Sequence, residues 1–308
     1  MMIESISILS IGLLLLLMGS NLLVTSTDNT ARRFSISGFY ASFFMIGIAT
    51  SAPEIFISIE AALQNKTILA IGNAFGSNIS NIALVFCLSL FFIRGKLNKN
   101  SLPIRPFTSM VVLTLIAFLL MYFDENLDIK DSFILIIVFI ISIYNFKSPD
   151  EIKSAETNNY SSLTSLLIYL VLSLGMLIYG SFYFISGATQ IATFLGISPY
   201  IIGLTLTALG TSLPELAASI QSARMGKVDF IVGNIIGSNI FNIAIAMSLA
   251  GIISSSDIDA NDIIRDILML SFCALALYLI IRSNSMFRTV YSMILVIIYF
   301  LYLILIFK

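Results

Sequence analysis

Two stretches of the sequence place a glutamate directly after a proline in the middle of a long apolar run. They read GIATSAPEIF at residues 47–56 and ALGTSLPELA at residues 208–217. A carboxylate inside a membrane or an apolar core costs several kcal/mol, and proline interrupts the hydrogen bonds of a helix. Because the chain contains this combination twice, we expect the two interrupted helices and their acids to serve a single site.

The composition indicates that most of the chain lies in lipid. Of 308 residues, 58% are hydrophobic and 11% are charged, whereas a soluble domain carries about 25% charged residues. The net charge of −1 gives no support for nucleic-acid binding. Histidine is absent, which removes the usual general base near neutral pH and the commonest ligand of transition metals. Cys87 and Cys273 lie inside apolar runs and are expected to be packing residues.

The apolar runs predict ten transmembrane helices, because a bilayer core needs about 20 apolar residues per helix. Cytoplasmic loops retain positive charge, and placing both termini outside puts 12 of the 16 basic residues in inner loops. The fifth run is the shortest. The ten runs lie near 5–25, 37–63, 68–93, 107–123, 132–146, 163–187, 198–222, 229–254, 264–281 and 286–306.

A repeat with a constant offset of 161 residues relates the two halves. GNAFGSNISNIA at 72–83 recurs as GNIIGSNIFNIA at 233–244, and the two proline–glutamate stretches have the same separation. Each half holds five spans, an odd number, so the second half must cross the membrane in the opposite sense. Inverted repeats with helices interrupted by Gly or Pro build a site near the membrane midplane.

The predicted fold is therefore an all-α membrane protein of ten transmembrane helices in two inverted five-helix repeats. The first repeat spans residues 1–146 with its motif at 47–83, and the second spans 163–308 with its motif at 208–244. A cytoplasmic loop at 147–162 joins them.

The two acids need a positive partner. No Lys, Arg or His lies in mid-span, so Glu54 and Glu215 are expected to be neutralised by a mobile cation, or by a proton when the site is empty. Proline lacks an amide hydrogen, so Pro53 and Pro214 free backbone carbonyls four residues earlier, at positions 49 and 210. These carbonyls and their neighbours become candidate ligands.

The second motif adds further oxygen atoms. A spacing of four residues places three side chains on one helix face in each copy. Oxygen-only sites suit hard cations such as Ca²⁺ or Na⁺, whereas Mg²⁺ gives up its waters reluctantly. The neighbouring Asn78 and Asn239 point off this face and are expected to bond helix to helix, and the GxxxG glycines to permit close packing. The shared faces consist of Asn73, Ser77 and Asn81 in the first copy, and Asn234, Ser238 and Asn242 in the second.

The paired motifs TSAPE and GTSLPE, each followed by GNxxGSN, resemble the two alpha-repeats of the calcium/cation antiporter superfamily, most closely its sodium/calcium exchangers. The resemblance covers nearly the whole chain. It implies exchange of Na⁺ for Ca²⁺ by alternating access, with spans one and six sliding across the core, no cofactor and no enzymatic activity. The small chain without long inserts indicates the plasma membrane of a prokaryote, and we expect the protein to function as a monomer.

The resemblance assigns roles to residues of both motifs. Glu54 and Glu215 would be shared calcium and sodium ligands, and Thr50 and Thr211 would offer backbone carbonyls to calcium. Asn81 would line the central site together with Asn242. The sodium ligands would be Ser51, Ser77, Ser212, Ser238 and the carbonyls of Gly47 and Ala208.

Two positions depart from the family pattern. Ala49 stands where Gly is usual, as Gly210 does in the second copy, and its methyl group is expected to stiffen the first broken helix or narrow its cavity. Asn242 stands where potassium-dependent relatives tend to carry Asp, which favours potassium independence. A calcium/proton exchanger and a potassium-dependent exchanger remain alternatives, and a cation channel is a more distant one.

Overall fold

Every regular element in the described part of the chain is a helix. A computed structural model describes residues 2–94, 102–146, 162–196, 210–255 and 260–306. The helices are α1 (Met2–Arg33), α2 (Gly38–Thr50), α3 (Ala52–Leu63), α4 (Thr67–Leu90), α5 (Ile104–Asp124), α6 (Ile129–Tyr144), α7 (Leu163–Phe194), α8 (Leu213–Arg224), α9 (Val228–Ile253), α10 (Ala260–Arg282) and α11 (Ser285–Ile306).

Seven of these helices are long and apolar enough to cross a membrane, and the bent pair α2–α3 is an eighth candidate. The fifth predicted span corresponds to α6, which has only 16 residues. The seventh, near 198–222, is described only from residue 210 onward. The first and sixth are longer than predicted, because α1 and α7 have 32 residues each. The polar residues after position 25 continue α1, where Asp28 forms an ion pair with Lys227.

The backbone has the same geometry just before the helix that carries each site glutamate. The residue before that helix is Ser51 in the first copy, with φ −80° and ψ 0°, and Ser212 in the second, with φ −85° and ψ 6°. Helices α2 and α3 meet there at a bend of 43°. Each proline is the second residue of the new helix, where a missing N–H is tolerated. The glutamate that follows therefore lies in a first helical turn, whose dipole favours negative charge.

The most buried spans are α4 and α9, which carry the second motif. In α9, a methyl group added at Gly233 would lie 2.5 Å from the Phe39 carbonyl oxygen, and one at Gly237 would lie 2.7 Å from that of Phe43. These glycines thus allow α9 to touch the backbone of α2, which confirms the predicted packing role in the second copy. The two equivalent glycines of α4 have no neighbour within 4 Å among the described residues.

Helices α1 and α7 pack against each other along a glycine-lined contact that we call the α1–α7 seam. Its glycines are Gly12 and Gly19 on α1 and Gly180 and Gly187 on α7. A methyl group at Gly180 would lie 2.9 Å from the Leu16 nitrogen, so the two backbones are in direct contact. Small residues permit such close approach between membrane helices.

Polar contacts fix one end of α1 to the second half of the chain. The Lys227 Nζ lies 2.6 Å from Asp28 Oδ1, and Gln221 Nε2 donates to Asn21 Oδ1 at 2.8 Å. The repeat offset pairs Lys227 with Lys66 and Asp28 with Thr189. Because threonine carries no charge, the equivalent ion pair cannot form in the first half.

The seam gives a test of packing. We expect Gly187→Ala to lower the free energy of unfolding by about 1–3 kcal/mol, the usual cost of overpacking. Its added methyl group would lie 2.5 Å from the Leu9 backbone nitrogen, which cannot turn away. The matched control on the same helix is Gly175→Ala, where no atom lies within 4 Å. Thermal unfolding in detergent measures both variants, and equal midpoints would contradict the described seam.

Candidate cation site

Two fully buried carboxyl groups form the centre of the candidate site. Glu54 and Glu215 are both 0% exposed, and they lie close enough for their charges to interact. The hydroxyl of Ser77 lies beside the Glu54 carboxyl group, and that of Thr50 lies beside Glu215. Among the described residues, no Lys or Arg forms an ion pair with either glutamate. The pair therefore lacks a positive partner within this part of the protein.

Unpartnered oxygen atoms are concentrated on the predicted site residues. In the described part of the chain, eleven buried side-chain N and O atoms have no hydrogen-bond partner, and eight of them are oxygens of these residues. Buried polar groups are otherwise almost always hydrogen-bonded. Such a concentration of oxygen acceptors, two of them carboxylates, fits a hard cation. The eight are the carboxyl oxygens of Glu54 and Glu215, the hydroxyls of Ser51 and Ser212, and the Oδ1 atoms of Asn81 and Asn242.

Two threonine–serine pairs connect the halves on either side of the acids. The Thr50 and Ser238 hydroxyls are 3.2 Å apart, and those of Ser77 and Thr211 are 3.5 Å apart. The two pairs are related by the repeat offset. Thus four of the predicted ligand positions meet across the contact between the halves.

Asn78 and Asn239 form a reciprocal pair in the core. The Asn78 amide donates to the Asn239 carbonyl at 2.9 Å, and the Asn239 amide donates to the Asn78 carbonyl at 3.3 Å. The side-chain oxygen of Asn239 accepts from the Asn81 side chain, and that of Asn78 accepts from the Asn242 side chain, each at 3.1 Å. These bonds confirm the predicted helix-to-helix role. They also fix the amide nitrogens of Asn81 and Asn242, so that the Oδ1 atoms remain without partners.

A wider helical turn begins at each of these site asparagines. The segments Asn81–Phe86 and Asn242–Met247 are π-helical. The residue after each asparagine accepts a hydrogen bond from the side chain five residues further on. Cys87 donates to the Ile82 carbonyl at 3.5 Å, and Ser248 donates to the Ile243 carbonyl at 3.4 Å. Single π-helical turns inside α-helices occur frequently at functional sites.

The amide nitrogens of Asn73 and Asn234, two residues that we grouped with the oxygen donors, bond the backbone of the helices that carry the acids. The Asn73 amide donates to the Glu54 carbonyl at 3.3 Å, and that of Asn234 donates to the Glu215 carbonyl at the same distance. The Asn234 oxygen also accepts from Thr50. Both asparagines therefore position the helix turns that carry the acids.

Ser58 and Ser219 were missed by the sequence analysis. They accept from the amides of Asn73 and Asn234 at 3.4 and 2.9 Å. Each lies four residues after a site glutamate, and the two are related by the repeat offset, so the repeat itself contained the signal that could have identified them.

Two predicted carbonyl ligands have different outcomes. The Gly47 carbonyl accepts from the Ser51 amide at 3.1 Å and from the Ser238 hydroxyl at 3.3 Å. Binding of a cation there therefore requires the Ser238 hydroxyl to turn. Ala208 lies outside the described residues.

The unusual Ala49 lies in an apolar cluster that also contains Val24 and Ile46. A methyl group at the equivalent Gly210 would overlap the side chain of Ile185. Val24 is the repeat equivalent of Ile185 and is one methylene smaller. Where the second repeat pairs Gly210 with Ile185, the first repeat thus pairs the larger Ala49 with the smaller Val24.

The reciprocal asparagine pair can be tested by a double-mutant cycle. Asn239→Ala leaves the Asn81 amide and the Asn78 carbonyl without these partners, and Asn78→Ala has the mirrored effect. We expect each variant to lose about 1–3 kcal/mol for each unpaired buried group. The two changes remove different pairs of bonds, because each side chain bonds the backbone carbonyl of the other residue, so the losses should add in the double variant. A single variant with wild-type stability in chemical unfolding would contradict these bonds, and a loss in the double variant clearly below the sum would show that the two pairs of bonds depend on each other.

Comparison with known proteins agrees with this geometry. The sequence model described as sodium/calcium exchanger protein matches residues 4–147 and again residues 165–308, two segments separated by the repeat offset. The chain is 34% identical to the putative antiporter CaxA of Alkalimonas amylolytica, covering 91% of this chain and 90% of that protein. It is 31% identical to the inner membrane protein YrbG of Escherichia coli, covering 86% and 85%.

A solved structure of the sodium-calcium exchanger NCX_Mj is similar over almost the full length. It matches with a TM-score of 0.78 at 30% identity and covers 98% of both chains. The family match extends over both halves and includes every site residue discussed above. The chain therefore belongs to the sodium/calcium exchanger protein family, which is a family of membrane antiporters and not of enzymes.

Proposed function

We propose that the protein is a secondary antiporter that exchanges Na⁺ for Ca²⁺ by alternating access, with the sodium gradient driving calcium export. The observation that carries this proposal is the cluster of unpartnered buried oxygens around Glu54 and Glu215. Two carboxylates neutralise one Ca²⁺, and the neutral hydroxyl and amide oxygens complete an oxygen-only shell. The family membership and the similarity to NCX_Mj support the same activity.

Exchange follows from the charge of the site. Two ionised carboxylates without a cation repel each other and lack water, so an empty charged site is costly to bury. Sodium and calcium need the same two carboxylates and therefore compete for them. A carrier that changes its exposed side only when these charges are neutralised must therefore load Na⁺ before it can return after releasing Ca²⁺, and two carboxylates require more than one Na⁺.

The ligand assignment is part of the proposal. Glu54 and Glu215 bind both ions, Thr50 and Thr211 offer carbonyls to calcium, and Asn81 lines the centre together with Asn242. Sodium is held by Ser51, Ser77, Ser212, Ser238 and the carbonyls of Gly47 and Ala208. The unpartnered hydroxyls of Ser51 and Ser212 support this set.

The architecture that we propose has ten spans in two inverted five-helix repeats, residues 1–146 and 163–308, joined by the loop at 147–162. The repeated helix breaks, π-helical turns and asparagine bonds support it, since each recurs at the offset of 161 residues. We further propose that the protein works as a monomer in a prokaryotic plasma membrane with both termini outside. The similarity to an inner membrane protein supports this location.

Removal of either carboxylate should abolish exchange. Breaking a buried charge pair costs about 3–5 kcal/mol, more than a hundredfold in binding. We expect Glu54→Gln and Glu215→Gln each to reduce sodium-dependent ⁴⁵Ca²⁺ uptake into proteoliposomes to background. The control is Glu60→Gln, an exposed acid on the same helix as Glu54, which should leave uptake unchanged. Near-normal flux in either site variant would remove that residue from the site.

The driving ion is tested with the unaltered protein. Uptake of ⁴⁵Ca²⁺ should require Na⁺ loaded inside the vesicles and should not change when K⁺ is added. A pH gradient in the absence of Na⁺ should drive none. Uptake that follows the pH gradient and ignores sodium would identify a calcium/proton exchanger, and a requirement for K⁺ would identify the potassium-dependent alternative.

A further inference from the structure

Each proline of the site leaves a backbone carbonyl without its helical donor. The carbonyl freed by Pro214 is that of Gly210, and the Ser181 hydroxyl donates to it at 2.8 Å in a buried contact. Ser181 belongs to α7, so this bond links a helix of the α1–α7 seam to the broken helix that carries the site. Gly210 directly precedes Thr211 and Ser212, and the bond therefore holds the backbone from which two proposed ligands project.

The equivalent serine makes a different bond. Ser20 on α1 is the repeat counterpart of Ser181, and Ala49, four residues before Pro53, is the counterpart of Gly210. The Ser20 hydroxyl donates instead to the Leu17 carbonyl of its own helix, at 3.1 Å. A hydroxyl has one hydrogen, so Ser20 does not donate a hydrogen bond to the Ala49 carbonyl in this conformation. Both serines are buried, at 1% and 7% exposure.

From this asymmetry we infer that Ser20 and Ser181 are alternating positioning residues, each binding the proline-freed carbonyl of its own repeat in one of the two transport states. The inference rests on the proposed alternating access. Alternating access moves one of two related repeats against the other around a fixed site, and we take the opposite-facing state to be the one in which the two repeats have exchanged conformations. Ser20 then bonds the Ala49 carbonyl, and Ser181 returns to a carbonyl of its own helix.

The exchange of bonds is cheap because a helical serine always has an alternative acceptor three or four residues earlier. Neither hydroxyl is left unpaired when its interhelical bond breaks. The α1–α7 seam couples the breaking of one interhelical bond to the formation of the other. Its two helices touch through their backbones, and each carries one of the two positioning serines. A shift of the pair that separates Ser181 from Gly210 therefore brings Ser20 toward Ala49.

The test measures the balance between the two states. When a binding-competent state is only partly populated, the apparent Kd rises in inverse proportion to its fraction. The ratio of the apparent KM values for Ca²⁺ at the two membrane faces, measured in right-side-out and inside-out vesicles, thus reports that balance. One hydrogen bond should change the ratio about 2- to 10-fold. We expect Ser181→Ala and Ser20→Ala to shift it in opposite directions, and the double variant to return it toward the wild-type value.

The matched control is Ser173→Ala. Ser173 is also buried on α7, and its hydroxyl donates to the Leu170 carbonyl of its own helix, so the ratio should stay constant. Equal or parallel shifts in the two serine variants, or no shift in either, would overturn the inference while leaving the exchange activity of the wild type intact. Absence of sodium-driven calcium exchange in the wild type would instead refute the proposed function, and the inference with it. Ser20→Ala removes an intrahelical bond in the described state. It therefore tests the direction in which the KM ratio shifts even if Ser181→Ala fails to fold.

Discussion

The structure depends on two carboxyl groups that are buried together without a basic partner among the residues that the structure describes. Their burial is tolerated because each lies in the first turn of a helix whose second residue is a proline, where the helix dipole favours negative charge, and because the surrounding oxygens suit a cation. The proline and the glutamate are therefore parts of one device. The proline ends one helix, and the helix that begins there presents the acid.

Around this centre, the side-chain amide groups bond helix to helix, whereas the unpaired oxygen atoms are left for the site. The amide nitrogens of Asn81 and Asn242 are used up by the Asn78–Asn239 pair, and Asn73 and Asn234 hold the turns that carry the glutamates. Oxygen atoms are what remain unpaired. Because its amide donors are occupied, the shell presents unpaired oxygen atoms to a cation, and the Gly47 carbonyl joins them when the Ser238 hydroxyl turns.

Much of the candidate site could be predicted from the sequence because the proline–glutamate motif and its Ser and Asn neighbours occur in both repeats. A single buried acid after a proline is already costly, and its recurrence with Ser and Asn at one fixed offset indicates Glu54, Glu215 and their neighbours as candidate site residues. The roles of Asn73 and Asn234 could not be predicted, since an amide has a donor end and an acceptor end and the spacing does not say which faces the site. The length of α1 was underestimated because polar residues such as Asp28 ended the apolar run but are held in the helix by tertiary contacts.

The α1–α7 seam has a mechanical consequence. Long side chains between two helices act as a cushion that absorbs part of any relative displacement, but at Gly12 and Gly180 there is no such cushion. A push on one helix is therefore transmitted to the other without slack. In a carrier built this way the two mouths cannot be widened separately, and the stiffness of a glycine contact becomes the safeguard against a leak.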